Sequence, residues 1–191
     1  PLADLAGAGA EVLTPGSHDP VVVMVTSAMP KEGKTTTSAN LAVAFAEAGS
    51  RVLLVNCDFR RPQIHNYFGI ADEPRRVHRT TIPNVKLVTN VVESTEMNPA
   101  RVVAMQRRII AAARKQFDVV ILDTAPLLGA NDALELVPET DFVVLVARAD
   151  ISTAPSAHRA VESLQRVHAP MVGVVLGGAS ERGNEIGRAH V

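Results

Sequence analysis

Tryptophan is absent from these 191 residues, and cysteine and tyrosine occur once each. With Cys57 as its one thiol the chain has no internal disulfide framework, which fits a reducing compartment. Neither sign of charge is in excess: 19 Lys and Arg stand against 20 Asp and Glu, a net charge of −1. Nucleic acid is therefore not an expected partner, because no overall positive field draws the phosphate backbone. No apolar run approaches the roughly 20 residues that span a bilayer. The opening PLADLAGAGAEVL has neither the basic start nor the unbroken apolar stretch of a secretory signal. It begins at Pro1 rather than Met, as a processed or excised part of a longer protein would. His18, His65, His78, His158, His168 and His190 are scattered without metal-ligand spacing, so a zinc site is not expected. No internal repeat, Ser-His-Asp set or Cys-His set is found.

What is present suits one folded domain. Hydrophobic residues make up 47% of the chain and charged residues 20%, a composition that buries a core rather than staying disordered. Residues 1–19 are rich in Ala, Gly and Pro, show no sustained period, and read as a lead-in to a single domain over 20–191. Six apolar runs follow: Val21–Thr26, Arg51–Val55, Val85–Asn90, Val119–Leu122, Phe142–Ala147 and Met171–Leu176. Most are continuous Val, Ile and Leu rather than alternating, as in strands covered on both faces. Between them lie helix patterns at Lys34–Ala48, Pro99–Gln116 and Ala154–Val167, the last preceded by the capping residues Ser152 and Thr153. The alternation predicts an α/β fold, a mostly parallel central sheet flanked by helices. Gly69–Pro83, polar and broken, is expected as a surface loop.

The first chemical signal is Ser27-Ala28-Met29-Pro30-Lys31-Glu32-Gly33-Lys34-Thr35-Thr36, which leaves an apolar strand and enters a helix. That is the setting of a phosphate loop. Gly33 lets backbone N–H groups approach phosphate oxygens, and the helix N-terminus adds a favourable dipole. Lys34 brings a point charge to the β- and γ-phosphates, and Thr35 a hydroxyl to Mg²⁺. Ala28 stands where G-x-x-x-x-G-K-[ST], the Walker A pattern, has its first glycine, so the loop is a deviant one. Two further strands end in carboxylates, Val52–Val55 into Asn56-Cys57-Asp58 and Val119–Leu122 into Asp123. In a parallel sheet these ends share one rim, where open α/β folds bind ligands. Asp58 and Asp123 are thus expected beside Lys34 and Thr35, as ligands of Mg²⁺ and orienters of the nucleophile.

These residues carry a family resemblance. Pro30–Thr36 is similar to P-x-E-G-K-[ST]-T, Val52–Pro62 to an apolar run before D-x-D-x-R-R-P, and Ile121–Pro126 to apolar-D-T-x-P. This order of motifs resembles the cytoplasmic ATPase domain of bacterial tyrosine kinases (BY-kinases) of capsule and exopolysaccharide export, within the MinD/ParA class of P-loop ATPases. Further landmarks are Asn98-Pro99-Ala100, Pro126-Leu127-Leu128 with Asn131-Asp132-Ala133, and Val143–Val146 leading to Arg148 and Thr153, so the likeness runs from about Val21 to Leu176.

The resemblance implies a MinD/ParA-like P-loop NTPase fold, ATP and Mg²⁺ as cofactors, and phosphoryl transfer to protein tyrosine. It implies that Pro30, Lys31, Glu32, Gly33, Lys34, Thr35 and Thr36 hold the phosphates, that Thr35, Asp58 and Asp123 organise Mg²⁺, and that Lys34, Asp58 and Asp123 are catalytic. Asp58 or Asn56 would face the nucleophile, and Arg60 and Arg61 would anchor the second motif or meet a neighbouring subunit. Partners would be a membrane polysaccharide co-polymerase (chain-length regulator) or the protein's own membrane portion, and further copies in a homo-oligomer. The setting would be cytoplasmic, on an inner-membrane protein.

The sequence departs from the family at several points. Asn56 replaces the first carboxylate of D-x-D, and an amide cannot accept the proton of a tyrosine hydroxyl. The family's C-terminal tyrosine cluster has no counterpart, Tyr67 being the one tyrosine, and residues 1–20 hold no Arg for the E-x-x-R-x-x-R ring element. Gly177-Gly178 follow the last strand where an adenine-contacting Asn is usual. Met29 occupies the place of the second lysine of MinD/ParA loops. Two alternatives follow: an ATP-binding or ATP-hydrolysing regulatory switch without kinase activity, and a MinD/ParA-like positioning ATPase. Of the remaining features, Arg75, Arg76, His78 and Arg79 are expected on a solvated loop and Arg107 and Arg108 on a solvent-facing helix side. Cys57 is expected as a small buried filler, and Tyr67 packed on the sheet.

Overall fold

The computed structural model describes residues 20–73, 77–90 and 98–179. Chain order within them is β1 (Val21–Ser27), α1 (Lys34–Glu47), β2 (Val52–Asn56), α2 (Ile64–Tyr67), β3 (Val77–Arg79), β4 (Val85–Val88), α3 (Pro99–Ala113) and β5 (Val119–Asp123). A 3-10 segment (Asn131–Glu139), β6 (Phe142–Arg148), α4 (Ala154–Arg166) and β7 (Met171–Gly177) complete it. The strands form one sheet in the order β3-β4-β2-β5-β1-β6-β7, with every neighbouring pair parallel except β3 with β4.

Both faces of the inner strands β2, β5 and β1 are buried, which is why they read as unbroken apolar runs. On β1, Val21, Val23 and Val25 pack with Ala39, Ala42 and Ala46 of α1. Val22 joins Val102, Val103 and Ile110 of α3, and Met24 joins Ala160 and Leu164 of α4. The buried face of α1 is alanine-rich, so the helix carrying the phosphate loop can lie close to the sheet.

Three elements differ from the sequence expectation. Gly69–Pro83 is not all loop: Val77–Arg79 forms β3, an antiparallel edge strand whose exposed alternate residues conceal its period. The turn Ile64–Tyr67 and the nine-residue segment Asn131–Glu139 are helical, the latter in 3-10 form with Pro138 inside. Neither is long enough to show a helical stripe in sequence. The segment 1–19, Arg75 and Arg76 lie outside the described residues. Among the described residues no helix is long and apolar enough to cross a membrane.

Candidate active site

Four adjacent parallel strands, β2, β5, β1 and β6, end on the same rim. Backbone bonds tie those ends together. Cys57 N–H and Asp58 N–H both donate to Asp123 C=O, at 2.8 and 3.1 Å. Thr124 donates twice to Val25 C=O, through its N–H at 3.2 Å and its hydroxyl at 2.9 Å. The Thr26 hydroxyl reaches Ala125 C=O, and Leu127 N–H reaches Ser27 C=O at 2.8 Å. Residues far apart in sequence are thereby fixed around one cleft of about 450 Å³.

The phosphate loop forms one wall. Lys31 (φ 68°) and Gly33 (φ 97°) are left-handed. Such residues turn successive N–H groups toward a common point, the geometry of an anion nest. Glycine takes that conformation freely, whereas Lys31 pays a steric cost that the surroundings must hold in place. Helix α1 then begins with no side-chain cap and no acidic residue in its first turn, so its leading donors are left for a ligand.

Pro30, Lys31, Gly33, Lys34, Thr35 and Thr36 line the cleft, with Asp58, Arg60 and Arg61 opposite. Lys34 is 7% exposed, and its charge pulls on both carboxyl groups, Asp58 and Asp123. Asp123 lies beneath the loop at 2% exposure, accepting from Ser38 Oγ at 3.2 Å and from Thr35. Burial pushes its carboxyl group up to about 6, against the pull of Thr35, Lys34 and Ser38. Asp58 is half-buried, and burial raises it too, opposed by the N–H groups of Arg61 and Arg60 and by the charge of Lys34. Two carboxylates and a hydroxyl form a hard oxygen set that suits Mg²⁺ with part of its water shell retained.

Several side chains stand elsewhere than the sequence implies. Asn56 is turned inward: it is 1% exposed, its amide donates to Thr89 C=O at 2.7 Å, and its Oδ1 accepts from Asp58 N–H. The residue that follows β4, not the cleft, takes up its amide. Glu32 is buried under the loop and is not a lining residue. Tyr67 does not pack on the sheet. It is 52% exposed, lines the cleft, and its hydroxyl lies 2.7 Å from Thr36 Oγ1. Arg60 is anchored to Asp132 at 3.0 Å and stacks over Phe59, while Arg61 is exposed. Cys57 is buried, and burial raises its thiol, so it is inert filler. Arg107 and Arg108 are exposed on α3.

Sequence reasoning missed Gln63, Tyr67, Gly129 and Arg148 as cleft residues. Arg148 had a signal, since it ends a strand on the rim. Gln63 and Tyr67 had none, because the short α2 turn that delivers them is invisible in the pattern.

Residues 23–184 match the family model described as the CobQ/CobB/MinD/ParA nucleotide binding domain. The tyrosine-protein kinase YwqD of Bacillus subtilis is 31% identical over 169 residues, which cover 82% of this chain and 71% of that protein. EpsB of Ralstonia solanacearum is 30% identical over 169 residues, 81% of this chain, yet the chain spans only 22% of EpsB. Among solved structures, the VpsO kinase domain superimposes with a TM-score of 0.78 at 29% identity, covering 93% of this chain and 94% of that one.

Proposed function

The chain belongs to the CobQ/CobB/MinD/ParA nucleotide-binding family and groups there with bacterial tyrosine-protein kinases, and from that premise we propose that it binds Mg·ATP and transfers the γ-phosphoryl group to protein tyrosine. The observation that carries this reading is the convergence, from three separate connections, of Lys34 and Asp58 on one cleft with Asp123 beneath them, where the loop offers uncapped N–H donors.

Catalysis in this reading is positioning and charge neutralisation. The loop N–H groups and Lys34 hold the phosphate oxygens. Mg²⁺, held by Thr35, Asp58 and Asp123, would supply charge neutralisation on the phosphates. Asp58 is the carboxylate that faces the cleft, so it orients the incoming hydroxyl and takes its proton. Arg60, fixed by Asp132, and Arg61 keep the opposite wall cationic. The wider setting we propose is the cytoplasmic side of an inner membrane, beside a polysaccharide co-polymerase or a membrane portion of the same protein, with further copies as partners.

A second reading, an ATP-driven switch of such a co-polymerase without kinase activity, is favoured by Asn56. Its amide is committed to Thr89, so the site holds one cleft-facing carboxylate where the resembling family has a pair. Incubation with Mg·ATP and an acidic tyrosine copolymer, followed by phosphotyrosine detection, separates the two. Labelling that disappears in Lys34→Met supports the kinase. ATP hydrolysis without labelling leaves the switch.

A further inference from the structure

Glu32 presents an unusual arrangement. It is 1% exposed inside the phosphate loop, and no basic side chain pairs with it among the described residues. A buried carboxylate needs donors to offset the water it has lost. It has two: Met29 N–H donates to Oε2 at 2.7 Å, and the Ser152 hydroxyl donates to Oε1 at 2.5 Å. The first bond braces the loop within itself, across residues that include left-handed Lys31. The second reaches across 120 residues of sequence to the turn between β6 and α4.

The same Ser152 oxygen accepts the N–H of Arg148 at 2.7 Å, and Arg148 lines the cleft with its guanidinium paired to Asp150. One hydroxyl therefore joins the phosphate loop to the cleft wall formed at the end of β6. Gly33 lies over that same strand, where an added Cβ would meet Val146 Cγ1 at 3.9 Å.

We infer that Ser152 is a positioning residue for the nucleotide: by holding Glu32 it fixes the phosphate loop in its binding shape before the ligand arrives. The inference rests on the nucleotide-binding reading above. A loop that must be ordered on binding spends part of its contact energy on that ordering, whereas a preformed loop does not. Hydrogen bonds to charged groups are strong enough that losing this one should cost about tenfold in affinity.

The test is titration of the full chain with the fluorescent nucleotide N-methylanthraniloyl-ATP, in parallel with ATP turnover and thermal midpoints. Ser152→Ala should raise the dissociation constant about tenfold and raise KM with kcat nearly unchanged. Ser152→Thr, which keeps the donor, should bind within about twofold of wild type. Ser152→Cys, with a weak S–H donor, should fall between them and keeps the test open if the alanine variant does not fold. Glu32→Ala, which keeps no acceptor for the hydroxyl, combined with Ser152→Ala should lose no more than Glu32→Ala alone, because the shared contact is already gone. Wild-type affinity in Ser152→Ala or Ser152→Cys, or losses that multiply in the double variant, would overturn the inference. A Lys34→Met control distinguishes the two failures. If wild type does not bind or Lys34→Met binds equally well, the nucleotide reading falls. If Lys34→Met abolishes binding while Ser152→Ala keeps it, only the role of Ser152 falls.

Discussion

The N-termini of α1 and of α3 and α4 solve the same problem in opposite ways. Every helix start exposes donors that its own backbone cannot satisfy. Asn98 accepts from Ala100 and Arg101 at the start of α3, and Thr153 and Ser156 form a reciprocal capping box at the start of α4. Helix α1 starts at left-handed Gly33 with no side-chain acceptor at all. The chain has the means to close a helix end and leaves this one open, at the rim where Lys34, Asp58 and Asp123 meet. Closed ends serve stability, and the open one is reserved for an anion.

The largest effect should come at the open end. Lys34→Met should weaken Mg·ATP binding at least about 100-fold by calorimetric titration, since it removes a charge aimed at phosphate in a partly dry cleft. Its thermal midpoint should fall modestly, because the carboxyl groups of Asp58 and Asp123 lose the cation beside them. Comparable affinity in the variant would remove the functional half of the comparison.

Asn56→Asp should be costly in the other sense. A carboxylate there cannot donate to Thr89 C=O and sits beside two other acids, so unfolding should become easier by roughly 2–3 kcal/mol. Restoring the family carboxylate is then expected to give no more phosphotyrosine than wild type, and a gain over wild type would show that position 56 reaches the cleft after all.

Asp123 sharpens the comparison through pH. Its carboxyl group is raised from 3.8 to about 6 by burial, so the native state binds more protons than the unfolded chain between those values. The stability it contributes is complete below about 3.8 and is lost as pH rises through 6. Asp123→Asn should therefore stabilise the protein at pH 8 by about 1–2 kcal/mol, readable as a higher urea midpoint, while abolishing the magnesium dependence of nucleotide binding. In wild type, Mg·ATP affinity should fall as pH drops below about 6. An Asn variant that is less stable than wild type at pH 8 would contradict this account.

The smallest effect belongs to a closed end. Asn98→Ala should cost about 1 kcal/mol, a drop of about 2–4 °C in Tm, with nucleotide affinity unchanged. A loss of affinity there would blur the distinction between the two kinds of helix start.

Much of this architecture was legible in advance because burial on both faces leaves a plain mark. The runs at Val21, Val52, Val119 and Val143 had to be strands between helical layers, and a Lys-tipped loop after the first of them had to face the rim. The edge strand Val77–Arg79 left no such mark, since one half-exposed hairpin arm looks like loop. Tyr67 was misplaced for a related reason: a four-residue turn of helix carries no period, and its direction is set by what it packs on.

Sequence alone, then, determined the layered α/β order, the phosphate loop and the two acidic strand ends, because local spacing and chain direction suffice for each. Which polar groups are free to act was decided only in three dimensions. Asn56 is spent on Thr89 and Glu32 on Ser152, while Asp58 remains available. Hydrogen-bond partners 33 and 120 residues away made those choices, and no local pattern encodes such a distance.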